Sequence, residues 1–232
     1  MIEGIDVSSA NLVPTWSEVP EELAFAYIRA THGKARDGRL TAHWNACVMA
    51  SRMCGAYTFE EPDDDPLDEV AAFVDTDAVH MVLPPALDVE WLGGRTPKQV
   101  LTYTRGFLDD LEKRIARVPM IYTGPSFWMN LGAEAKHPDF ARYPLWIAHY
   151  GAAKPIVPAP WDRWTFWQDR ANTIVQTPDG KQLFGTPARK ALAEIPGAKI
   201  IAQPGIVKGV QGEVDHNFYN GTIDDLKKLA GF

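Results

Sequence analysis

Seven short apolar segments recur along the chain: IEGIDVS (2–8), AFAYIRAT (24–31), CGAYTFE (54–60), PALDVE (85–90), VPMIYT (118–123), PLWIAHY (144–150) and WTFWQ (164–168). Helical patterns lie between them. The clearest run from Asp37 to Met53 and from Thr96 to Arg117; in the second, Leu101, Tyr103, Phe107, Leu108, Leu111 and Ile115 recur at roughly helical spacing behind the cap-like pair Thr96-Pro97. Strands that alternate with helices pair in parallel, because each helix returns the chain to the end of the sheet it left. A doubly wound open sheet wants a glycine-rich phosphate turn after its first strand, and GIDVSSAN supplies none. Seven or eight strands with polar residues near their ends therefore predict an α/β barrel. Beyond about residue 118 the strands at 144 and 164 are joined by loops rich in proline and aromatics, so the second half reads as strand-heavy.

A chain of 232 residues can build one sizeable core, and no Gly-, Ser- or Pro-rich linker divides it, so residues 1–232 are read as a single barrel domain. The segment from about 170 to 210 interrupts the order with TPDGK, FGTPARK and IPGAK turns, and is read as an insertion. It carries six basic residues against two acidic ones in a chain of net charge −7. A solvated surface excursion is the first reading, and a flap that meets an anionic polymer is the second. The net negative charge offers no basic field to neutralise phosphates, and no window holds eighteen consecutive apolar residues. Neither nucleic acid nor membrane insertion is expected. The only cysteines, Cys47 in a helical pattern and Cys54 at the head of a strand, read as small buried hydrophobes rather than a disulfide pair.

In PPALDVEW, Asp88 and Glu90 stand two apart after an apolar run. On a strand such residues share a face, so two carboxyl groups sit side by side where a core would tolerate neither. In a parallel barrel the C-terminal strand ends carry the chemistry. Asp6 in GIDVSS holds the same position in the first strand, and Asp215 in GEVDHNFYNG follows what reads as the last. First and last strands meet when a barrel closes, which would line one cleft with four acids. Each alone has a structural explanation: a turn cap with Ser8 and Ser9 for Asp6, an Asx-turn onto Asn217 for Asp215. Tyr57, Tyr122, Trp146, Tyr150, Trp164 and Trp167 lie in or just after predicted strands, and flat aromatic faces beside carboxylates suit sugar rings. Two carboxyl groups with pKa values pushed apart can cleave a glycosidic bond, with Glu90, beside the apolar Trp91, as the better acid. The six histidines are scattered singly, with no HExxH or CxxC spacing, so neither a metal site nor a cofactor is expected; GPS at 124–126 is not a nucleophile elbow.

Taken in order, GIDVSS, AYIRAT, GAYTF, LPPALDVE, PMIYTGPSFW, YPLWIAHY, WTFWQ and VDHNFYNG resemble the glycoside hydrolase family 25 muramidases, the Chalaropsis-type lysozymes. The resemblance runs from Met1 to about Gln168 and resumes near Gly209. It implies an irregular TIM-like (β/α) barrel of about five β/α units followed by further strands. It also implies retaining cleavage of the β-1,4 bond between N-acetylmuramic acid and N-acetylglucosamine in bacterial cell-wall peptidoglycan. A monomer is expected. Carried over by motif, Glu90 is the general acid/base, Asp88 the nucleophile or the group that polarises the substrate's acetamide, and Asp6 and Asp215 the supporting acids. Tyr57, Tyr122, Trp146, Tyr150, Trp167 and Gln168 are the expected substrate-binding residues. Thr58 stands where the family commonly has histidine.

Two other readings of the same acids are a non-catalytic glycan-binding barrel and a metal-dependent barrel hydrolase. MIEGIDVSS lacks the basic and apolar regions of a secretory signal. The expectation is an endolysin-like protein released from a host cytoplasm with a holin's help, or otherwise an extracellular enzyme.

Overall fold

The computed structural model describes residues 1–171, 174–180, 182–202 and 205–232. Its elements run β1 (Ile2–Val7), β2 (Leu23–His32), β3 (Ala35–Arg36), α1 (Leu40–Met49), β4 (Met53–Phe59), α2 (Pro66–Val74), β5 (Ala86–Asp88), α3 (Pro97–Ile115), β6 (Met120–Thr123), α4 (Pro125–Asn130), β7 (Leu145–Ala148) and β8 (Phe166–Arg170). There follow β9 (Ile174–Gln176), β10 (Gln182–Phe184), α5 (Gly185–Glu194), β11 (Lys199–Ala202), β12 (Asp215–Tyr219) and α6 (Ile223–Leu229).

Strands β1, β2, β4, β5, β6, β7, β8 and β12 close into a barrel. Every junction from β1 round to β8 is parallel. The last strand is not: β12 runs antiparallel to both β8 and β1. Helices return the chain to the lower rim through most of the circuit. After β8 the chain stays at the upper rim through the excursion, so the closing strand must start there and run down. Asp215 is accordingly the first residue of β12 rather than one that follows a strand, and the antiparallel direction is what sets it opposite Asp6.

The barrel interior is aromatic. Tyr27 and Trp146 lie 4.7 Å apart between ring centroids, and Phe25 and Phe166 5.1 Å. Two glycines make room: a Cβ on Gly4 would fall 2.4 Å from the Phe25 ring, and one on Gly55 2.3 Å from the Tyr27 ring. The outward strand faces pack Ile5, Ile28, Leu87, Ile121 and Ile147 in one core with Phe107, Leu108 and Leu111 of α3. That helix begins as its sequence predicts: Thr96 accepts from the Gln99 N–H, the Gln99 side chain accepts from the Thr96 N–H, and Pro97 occupies the first turn. Such a cap contributes about 0.5–2 kcal/mol.

Cys47 and Cys54 are buried, but they form a disulfide, with Cα atoms 6.6 Å apart. The expectation of unpaired hydrophobes is thereby corrected. The buried face of α1 turns through residues 50–52 directly into β4, which brings the two thiols together.

The excursion forms its own small sheet, in the order β10-β9-β11, with α5 packed against it. Its entry and exit are tied at one point, where the Gly205 N–H donates to the Ala171 carbonyl at 3.3 Å. Lys190, Lys199 and Lys208 are exposed there; Lys181 lies outside the described residues.

Candidate active site

A cavity of about 590 Å³ opens at the C-terminal ends of the parallel strands. Asp6, Asp88, Glu90 and Asp215 all line it, with Tyr57, Tyr122, Trp146, Tyr150 and Gln168. Parallel strands bring their chain ends to one rim, so residues far apart in sequence converge there.

Asp6 lies deepest. Its Oδ2 accepts from Gln168 Nε2 at 2.7 Å and from Asn217 Nδ2 at 2.7 Å. Both amides are held by their other ends: Gln168 Oε1 accepts from the Tyr122 and Tyr150 hydroxyls at 2.8 and 2.7 Å, and Asn217 Oδ1 accepts from the Trp146 indole N–H at 2.8 Å. The orientation of each amide is thus fixed, and each points its donors at Asp6. Burial pushes the Asp6 carboxyl upward, opposed by hydrogen bonds from Asn217, Gln168 and Asp215. Burial pushes Asp215 well above its ordinary value, helped by the charge of Asp6 and the hydrogen bond between the two. Both carboxyls are thus pushed towards the neutral form, Asp215 without the donors that oppose the push at Asp6.

Asp88 ends β5 and is 6% exposed. Burial, then the charges of Glu90, Glu60 and Asp6, raise its carboxyl well above the usual range. Its Oδ1 is buried without a hydrogen-bond partner among the described residues. Glu90 lies just past the strand, but Val89 is buried and its N–H bonds the Tyr122 carbonyl at 2.9 Å, so the chain stays extended and both carboxyls face the cleft. Glu90 is the more exposed of the two, at the lip rather than deeper. Trp91 is half exposed and does not line the cavity. The wall expected from it is absent; loss of water around the carboxyl and then the charge of Asp6 push Glu90 up to about 7.

The expected aromatics divide. Tyr57, Tyr122 and Tyr150 stand on the cleft wall, and Trp146, 1% exposed, forms its floor. Trp167 is outside the cleft: it sits on the opposite face of β8, between Trp164 and Phe218, with its indole N–H donated to the His149 carbonyl at 2.9 Å. Strand parity explains this, since Gln168 and Phe166 take the inward positions. Thr58 likewise faces away from Tyr57, and its hydroxyl pairs with that of Thr31 at 2.6 Å.

Sequence reasoning missed Arg29, His32 and Phe59, which also line the cavity, and Asn217 behind it. Asn217 was findable, because it lies two residues from Asp215 on the same strand face. Arg29 and His32, three apart, could not both be read inward. A bulge in β2 at Ala30 shifts the pairing, so that Arg29 faces Tyr57 and Thr31 faces Thr58.

Residues 5–176 match the model of the Glycosyl hydrolases family 25. Lysozyme M1 of Streptomyces globisporus is 29% identical over 242 residues, covering 99% of this chain and 71% of that protein. The N,O-diacetylmuramidase of Chalaropsis sp. is 24% identical over 252 residues, covering 99% of each. The bacterial lysozyme of Streptomyces coelicolor superposes with a TM-score of 0.79 at 28% identity, over 99% of this chain and 96% of that one.

Proposed function

The chain belongs to glycosyl hydrolases family 25, and from that membership we propose that it is a peptidoglycan muramidase, cleaving the β-1,4 bond between N-acetylmuramic acid and N-acetylglucosamine with Glu90 as general acid and base. As a member of this family it is a glycoside hydrolase. The observation that carries the residue roles is the pairing of a carboxyl raised to about 7 at the cleft lip with a buried carboxylate oxygen that lacks a partner two residues away.

Glu90, protonated, gives its proton to the glycosidic oxygen as the C1–O bond breaks. The carbonyl oxygen of the sugar's own 2-acetamido group bonds to C1, and the unpartnered Asp88 Oδ1 accepts the amide N–H and steadies the positive charge that develops. Water then attacks C1 from the side the leaving group vacated, giving its proton to the Glu90 carboxylate. The acetamide returns to its resting form. Two displacements retain the anomeric configuration. Asp6, held by Gln168 and Asn217, and Asp215 beside it support the reacting centre from the cleft, and Tyr57, Tyr122 and Tyr150 offer apolar faces and hydroxyls to the rings.

A cleft complete within one chain supports action as a monomer. Ala171, which lines the cavity at the root of the excursion, supports the reading that residues 170–210 border the substrate groove. Digestion of purified peptidoglycan, with mass analysis of the reducing ends, tests the assignment. Muramic acid is expected at the new reducing end with wild type and little product with Glu90→Gln; reducing-end glucosamine would sink it.

A further inference from the structure

Strand β8 sends Phe166 into the barrel interior and Gln168 into the cleft, so simple alternation would turn Arg170 inward next, among four carboxyl groups. Arg170 does not arrive there. It is exposed, and Ala171 lines the cavity instead. The cause is a bulge: against β12, Gln168 pairs with Asn217 and Arg170 with His216, which leaves Asp169 as an extra residue. Past an extra residue the inward and outward positions of a strand exchange.

Side chains hold this bulge. Asp169, 9% exposed, accepts from His216 Nδ1 at 2.6 Å through Oδ1 and from Arg170 Nε at 3.0 Å through Oδ2. The His216 Nε2 reaches Glu3 Oε2 of β1 at 3.2 Å, and its ring lies edge-on to Phe218 with centroids 4.9 Å apart. Burial disfavours the charged ring, but the hydrogen bonds and charges of Asp169 and Glu3 outweigh it and raise His216 above its ordinary value. Asp169, Arg170 and His216 therefore meet on the outer face of the barrel wall. Neighbours in a regular strand point opposite ways, so the bond between Asp169 and Arg170 exists only while the bulge does.

We propose that Asp169, joining His216 and Arg170 through one carboxylate, is a positioning residue that locks the β8 bulge and so closes this side of the cleft with Ala171 rather than with an arginine. The inference rests on the reading of this cleft as the catalytic one. Without the lock β8 pairs straight and Arg170 turns inward, where its guanidinium pairs with the acids and fills space that a sugar ring needs.

Four variants test this on peptidoglycan. In Asp169→Ala, kcat/KM should fall roughly tenfold or more, and the alkaline limb of its pH profile should move down by about one pH unit, because a cation near Glu90 favours its charged form. The double variant Asp169→Ala/Arg170→Ala should recover most of both, and Arg170→Ala alone should stay within about threefold of wild type. Asp169→Asn fills the same volume but cannot accept from both partners, so it should shift both readouts the same way even if the alanine variant fails to fold. A double variant as impaired as the single one, a loss of rate with an unmoved pH limb, or an Asp169→Asn enzyme indistinguishable from wild type would overturn the proposal. Carboxyl 13C titration of the ligand-free proteins reads the same displacement of Glu90 without substrate. A wrong bond cleaved in the reducing-end assay would thus overturn the muramidase reading and leave the titration result standing.

Discussion

Two groups of acids in this barrel have carboxyls raised by loss of water, and only one of them lines the cleft. In the cleft, Asp6, Asp88, Glu90 and Asp215 are raised by loss of water, and Asp6 is held by oriented donors. Behind it, Glu60 and Glu69 are both fully buried, near Tyr103 and Thr104 of α3. Burial raises Glu60 well above its ordinary value and Glu69 to about 7, the same value as Glu90. A raised carboxyl pKa therefore marks loss of water in both places. What separates them is access: the first group opens onto about 590 Å³ of space, and the second is sealed under helices. Perturbed acids earn a catalytic reading only where a substrate can reach them.

The widest separation should come from matched isosteric changes. Glu90→Gln should lower kcat on peptidoglycan by roughly 10²–10⁴-fold, the scale of a lost general acid. Glu60→Gln keeps the side chain's shape at a site off the cleft and should stay within about twofold of wild type. Comparable losses from both would erase the distinction.

Next in size is the pH dependence of activity. The active form has Glu90 protonated, so kcat/KM should fall as pH rises through about 7, close to tenfold per unit above it. A flat profile from pH ~6 to ~9 would remove Glu90 from the role.

Gln168 joins the cleft network at three points, donating to Asp6 and accepting from Tyr122 and Tyr150. Gln168→Leu strands those partners, and thermal unfolding should show a loss of about 1–3 kcal/mol. An unchanged Tm would mean that the three bonds are worth little.

The smallest effect belongs to the sealed pair. Glu69 has a folded pKa raised from 4.5 to about 7, so the fold favours its protonated form. Its contribution is present below about pH 4.5 and is lost as pH rises through about 7, on the order of 1–3 kcal/mol at most. Glu69→Gln should flatten that decline in Tm, a change visible in paired melts at the two ends of the window.

The sequence by itself determined the barrel, seven of its eight strand segments, the capped helix α3 and the four acids, because these rest on local information: apolar periodicity, a Thr-Pro-x-Gln cap, carboxylates at strand ends. Even Asp215 was placed at the right rim, although for the wrong reason, since the direction of β12 depends on where the preceding excursion leaves the chain. The tertiary structure alone decided the rest. Pairing of Cys47 with Cys54 depends on how tightly α1 turns into β4. The inward or outward fate of Trp167 depends on the pleat of β8, and the shared presence of Arg29 and His32 in the cleft depends on one extra residue at Ala30. Each of these is a matter of register, and register is set by partners elsewhere in the barrel rather than by the residues that it moves.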